Sequence, residues 1–151
     1  MKKFRFRLER VRQYRDILKK EKEHALALKN TELHQAETHL TTIVDAQNKA
    51  PKAEEGKTTM AELSLFGNYT RYLQEALVRQ RVLVMEATHA VEQARDAYIE
   101  KAVEAESLET LKEKRRQEYL LETKRADRRV SDRLTTFRHR LKGKSGGGRH
   151  G

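Results

Sequence analysis

The chain has 151 residues, 36% of them hydrophobic and 37% charged, so it is long enough for one domain and too polar for a thick globular core. With no cysteine, it cannot form disulfides, use a thiolate nucleophile or hold zinc or iron through sulfur, and a reducing compartment fits. The net charge of +10 at a pI near 9.9 favours an acidic partner without choosing among nucleic acid, an anionic membrane surface and an acidic protein.

No apolar run approaches the roughly 18 residues of a membrane span, and arginine interrupts the opening Met1-Lys2-Lys3-Phe4-Arg5-Phe6-Arg7. The expectation is a chain that is neither secreted nor membrane-spanning. Lys and Arg alternate closely with Asp and Glu, and tryptophan is absent, so no continuous phosphate-tracking face stands out.

From Phe4 to about Lys49 nothing breaks a helix. Leu26, Leu33 and Leu40 recur every seven residues, with Ala36 and Ile43 three places after the last two, which predicts a coiled-coil seam. Before Leu26 the apolar positions Leu8, Val11, Tyr14 and Leu18 drift from strict heptads. Pro51 disfavours helix at Ala50 and Gly56 follows within Lys52-Ala53-Glu54-Glu55, so a bend is expected over about 50–58. Thr59 and Glu62 have capping-box spacing and predict a second helix from about Met60.

In that second helix Leu77, Val84, Val91, Tyr98 and Ala105 repeat every seven residues beside Ala87, Ala94 and Leu108, and apolar positions continue from Leu111 to Leu141. These elements predict an all-α fold: an elongated, antiparallel two-helix coiled-coil hairpin over residues 1–142, with helices at about 4–49 and 60–141. A disordered glycine-rich tail over 143–151 is expected to follow. Folding symmetrically about the bend sets Phe4 opposite about Ala105 and brings Arg5, Arg7, Arg10 and Arg12 near Glu100, Glu104, Glu106 and Glu109. The second helix then overhangs. Its basic end, with the stripe Leu111, Tyr119, Val130, Leu134, Phe137 and Leu141, has no partner within the chain and is expected to be covered by another protein.

Gly56-Lys57-Thr58 copies the end of a phosphate-binding loop, but Pro51 stands where the first glycine belongs and no strand precedes it; a plain turn is expected. Glu21/His24 and Glu86/His89 have the Glu-x-x-His spacing of di-iron helix bundles, which needs ligands facing inward. With Leu26 and Val84 on the seam, both pairs fall on the solvent side. His34, His39, His139 and His150 do not converge on a site, and no cofactor, metal or catalytic residue is expected. The aromatic stretch Leu65 to Leu73 follows the bend, with Tyr69 and Leu73 expected to cap the seam and Phe66 and Tyr72 open to a partner.

Phe4-Arg5-Phe6-Arg7-Leu8-Glu9-Arg10-Val11 resembles the basic, aromatic opening of FliJ proteins, and Tyr69-Thr70-Arg71-Tyr72-Leu73 is similar to that family's aromatic stretch after the bend. The resemblance covers about residues 1–142. It implies a non-enzymatic component of the bacterial flagellar type III export apparatus, serving flagellum biogenesis, motility and chemotaxis. The implied shape is like the central stalk of rotary ATPases, acting with the hexameric export ATPase FliI. The family is also implied to contact the export gate protein FlhA, to bind export chaperones, and to work in the cytoplasm at the inner face of the cell membrane. Carried over by position, gate contact falls on Ile43, Gln47 and Tyr72, with Phe66 beside them, while Ala46 and Ala50 stand where some relatives have tyrosines. The ATPase-ring contact is expected on Leu111, Tyr119, Arg125, Arg129, Val130, Leu134, Phe137 and Leu141. The alternative is a basic coiled-coil module binding nucleic acid, which a steeply salt-dependent affinity for DNA would reveal.

Overall fold

In a computed structural model, which describes residues 2–52 and 56–145, the chain forms two long helices packed against each other, an all-α helical hairpin. The helices are α1, Glu9–Lys49, and α2, Met60–Ser145. No strand occurs among the described residues. Two units divide the chain: Arg15–Glu104, and a second formed by Met1–Tyr14 with Ala105–Gly151.

Within Arg15–Glu104 the helices meet along the heptad seam. On α1 the less exposed positions include Leu26, Leu33, Ala36, Leu40 and Ile43, and on α2 they include Leu73, Leu77, Val84, Ala87, Val91, Ala94 and Tyr98. Ile43, Leu73 and Val91 are the buried hydrophobic residues of this unit. One polar residue shares their depth. Gln80 is 7% exposed, and its side-chain amide donates to the Ala36 carbonyl at 3.0 Å. That bond fixes the antiparallel register, for one heptad nearer the bend on each helix Ile43 comes opposite Leu73.

At the bend, α1 ends at Lys49, and the Ala50 amide donates to the Gln47 carbonyl at 3.3 Å. Gly56 takes φ +80°, a left-handed conformation that side chains with a Cβ resist. Thr59 and Glu62 make the reciprocal capping bonds, each amide donating to the other's side chain at 3.2 Å. Residues 53–55 of the bend lie outside the described residues.

In the second unit the chain before α1 departs from the expected helix start at Phe4. Residues 2–6 are not helical, Arg7 and Leu8 form a turn, and the Glu9 amide donates to the Phe6 carbonyl at 3.2 Å. The cause is in the spacing: Phe4, Phe6 and Leu8 recur every second residue, the period of an extended chain with one side covered. They are half-buried, whereas Lys3, Arg5 and Arg7 are exposed. The expected pairing of Phe4 with Ala105 is also wrong. Phe4 lies beside Tyr119, two heptads further on, with ring centroids 5.5 Å apart. An extended residue advances more than twice as far as a helical one, and the symmetric fold assumed at the bend is not the one adopted.

At its other end α2 continues through Gly143 to Ser145, past the expected tail boundary. Lys142 and Lys144 sit in its last turn, where cations favour the helix dipole. The remainder of the expected tail, 146–151, lies outside the described residues.

Candidate interaction surfaces

Four charged side chains fasten the start of α1 to α2. Glu9 accepts from Arg12 at 2.6 and 3.0 Å and pairs with Lys112 at 3.1 Å, while Arg12 also bonds Glu109. The Arg12 guanidinium, with the Lys112 ammonium behind it, pulls the Glu9 carboxyl down to about 2, and the two glutamates raise the Arg12 pKa further. In the Arg15–Glu104 unit, Arg15 bonds Glu104, which Lys101 approaches at 3.4 Å. Desolvation works to raise the Glu104 pKa, but its bond to Arg15 and the charges of Arg15 and Lys101 outweigh it, and the pKa falls.

These pairs correct the expected set. Of Arg5, Arg7, Arg10 and Arg12, only Arg12 meets one of the four named glutamates in an ion pair among the described residues; Glu104 is taken by Arg15. Ahead of the clasp, the Tyr119 hydroxyl donates to the Lys2 carbonyl. Residues 2–8 thereby lie over α2 near Leu111 and Tyr119 and enclose a cleft of about 960 Å³. Leu111 and Tyr119 are half-buried, so the stripe expected to lack any partner in the chain is partly covered at its start.

Beyond Thr123 every residue through Ser145 is exposed. Val130, Leu134, Phe137 and Leu141, at spacings of four, three and four, are each more than half exposed on one face of the helix. Arg125 and Arg129 are exposed among the same turns. The apolar stripe thus lies open to water on a helix end rich in arginine.

Near the bend, the residues carried over as a gate contact separate. Ile43 is 8% exposed and belongs to the seam, Gln47 and Phe66 are half-buried, and Tyr72 is 60% exposed. Leu73 is buried as expected of a seam residue, but Tyr69, expected to cap with it, is exposed. Glu21, His24, Glu86 and His89 all face solvent. His89 hydrogen-bonds Gln93 at 3.1 Å, and among the described residues no three potential ligands cluster. Gly56-Lys57-Thr58 is part of the connection between the two helices, with no strand before it among the described residues.

Two features were not picked out from the residues alone. The buried Gln80 was findable, since it stands seven places from both Leu73 and Ala87, on the seam. The cleft was signalled only by the two-residue period of Phe4, Phe6 and Leu8.

A two-helix hairpin with polar outer faces, an exposed apolar stripe among arginines and a charge clasp is the architecture of a helical coiled-coil protein. Residues 4–144 match the family described as Flagellar FliJ protein. The chain belongs to that family, whose members are non-catalytic components of the flagellar protein export apparatus. No curated protein and no solved structure matches it. No described helix is long and apolar enough to cross a membrane.

Proposed function

We propose that the chain is a stalk-like partner of the export ATPase FliI hexamer, linking that ring to the export gate protein FlhA and binding export chaperones. The observation that carries the reading is the uncovered stripe Val130, Leu134, Phe137 and Leu141 on a helix end with a large excess of arginine and lysine. Inserted into a ring, the stripe would be desolvated against apolar walls, each large side chain contributing roughly 1.5 to 3 kcal/mol, while Arg125 and Arg129 meet carboxylates at the rim. Leu111 and Tyr119 contribute less directly, by holding residues 2–8 in place. No bond is made or broken by this chain; it promotes assembly and turnover of the ATPase.

Contact with FlhA falls to Tyr72 and the accessible parts of Phe66 and Gln47, with Ile43 setting their position from within the seam. Both activities place the protein in the cytoplasm, held peripherally at the membrane of the flagellar base. Affinity-tagged protein expressed in flagellated cells tests the reading: FliI and FlhA co-purify with it, and their absence from the eluate would overturn the proposal.

A further inference from the structure

We propose that the cleft between residues 2–8 and α2 is a docking site for an extended peptide segment of a partner protein, one in which acidic and large apolar residues alternate. This does not depend on the ATPase-ring reading, which is carried by the exposed stripe Val130 to Leu141. Phe6, Leu8 and Leu111 supply apolar wall, Phe4 being engaged with Tyr119. The volume of about 960 Å³ is in the range of sites that take ligands of short-peptide size.

The charge around the cleft selects the ligand. Lys2, Lys3, Arg5 and Arg7 all line it and make no ion pair among the described residues. The facing wall is different: Arg115 holds Glu118 at 3.2 Å, and Glu122 stands close by. A nucleic acid would bring a phosphate at every step and meet these carboxylates, whereas a peptide can place its acidic residues on the cationic side alone. Spacing sharpens the match. Residues 3–7 alternate cation and phenylalanine with the two-residue period of extended chain, so an extended ligand aligned with them can set carboxylates against Lys3, Arg5 and Arg7. Its intervening leucines or phenylalanines then face Phe6, Leu8 and Leu111. The backbone of residues 3–5 makes no hydrogen bond within the described chain, leaving amides and carbonyls for such a neighbour.

Fluorescence anisotropy with the full chain tests this, using a fluorescein-labelled synthetic peptide that alternates aspartate with leucine and phenylalanine. Saturable binding is expected. It should weaken at least about tenfold in Arg5→Glu with Arg7→Glu, but stay within about twofold in the charge-matched control Arg128→Glu with Arg133→Glu. Phe6→Ser should weaken it comparably, with circular dichroism confirming an intact hairpin. Replacing the probe's leucine and phenylalanine with serine should abolish saturation. Equal binding of the serine probe, or equal losses in the two charge-reversal pairs, would reduce the effect to non-specific attraction and overturn the proposal. So would single-stranded DNA that binds more tightly than the peptide and loses affinity in the same Arg5, Arg7 variant.

Discussion

Glu9 is the residue on which the N-terminal clasp turns, because it holds Arg12 and Lys112 together from opposite helices. Its folded pKa of about 2 lies below the ordinary value of 4.5, so its ionised form favours the clasped state. The contribution is complete above pH 4.5 and is lost as pH falls toward 2. The protection of amides around Arg12, taken as exchange relative to the intrinsic rate at each pH, should therefore fall over that window in the native chain and be nearly independent of pH in Glu9→Gln. An unchanged profile in the variant would mean that the ion pairs do not secure this end. Gln80 carries a second prediction at this scale. Changing it to Glu replaces an amide donor with a carboxylate facing the Ala36 carbonyl, which should cost about 1 to 3 kcal/mol at neutral pH and less in acid, where the carboxyl regains a proton. Urea melts at neutral and low pH, compared with native protein at each, measure the difference.

Among the elements, α2 depends at its start on a capping box that bonds both amides reciprocally. Thr59→Ala should cost about 1 kcal/mol and fray the first turn, visible as faster exchange of the Glu62 amide. The helices and their seam were legible because their signal is local and repeated: Leu26, Leu33 and Leu40 on one side, and Leu77, Val84, Val91 and Tyr98 on the other, all turned inward. The segment before Glu9 was misread through the same habit. Its few residues satisfy no helix breaker rule, and only the alternation of Phe4, Phe6 and Leu8 against Lys3, Arg5 and Arg7 carries the extended period. The register was not legible either. It depends on how the bend and the extended segment consume length, and no heptad pattern encodes that, since a slip by one whole heptad leaves the seam intact. Gln80 breaks the degeneracy, because a slip would strand its amide away from the Ala36 carbonyl among apolar side chains.

For the whole molecule, the candidate surfaces were legible in proportion to how little tertiary structure they require. The stripe from Val130 to Leu141 is set by spacing on a single helix and is exposed as the overhang argument requires. Leu111 and Tyr119 were assigned to the same surface, yet residues 2–8 lie over them, a consequence of the register that pattern alone missed. Family membership over residues 4–144 makes the chain a component of the flagellar export apparatus.

The most direct test of the stalk reading is the stimulation of FliI ATP hydrolysis by Val130→Asp with Phe137→Asp, measured beside Val84→Asp with Val91→Asp. Val130 and Phe137 already meet water, so aspartates there should leave the melting temperature nearly unchanged. Val91 is buried in the seam with Val84 beside it, and the second pair should lower the melting temperature first. The account predicts a fully folded first variant that no longer stimulates FliI, because apolar ring walls would receive unpaired carboxylates. Wild-type stimulation by that variant, or its unfolding alongside the seam variant, would contradict the account.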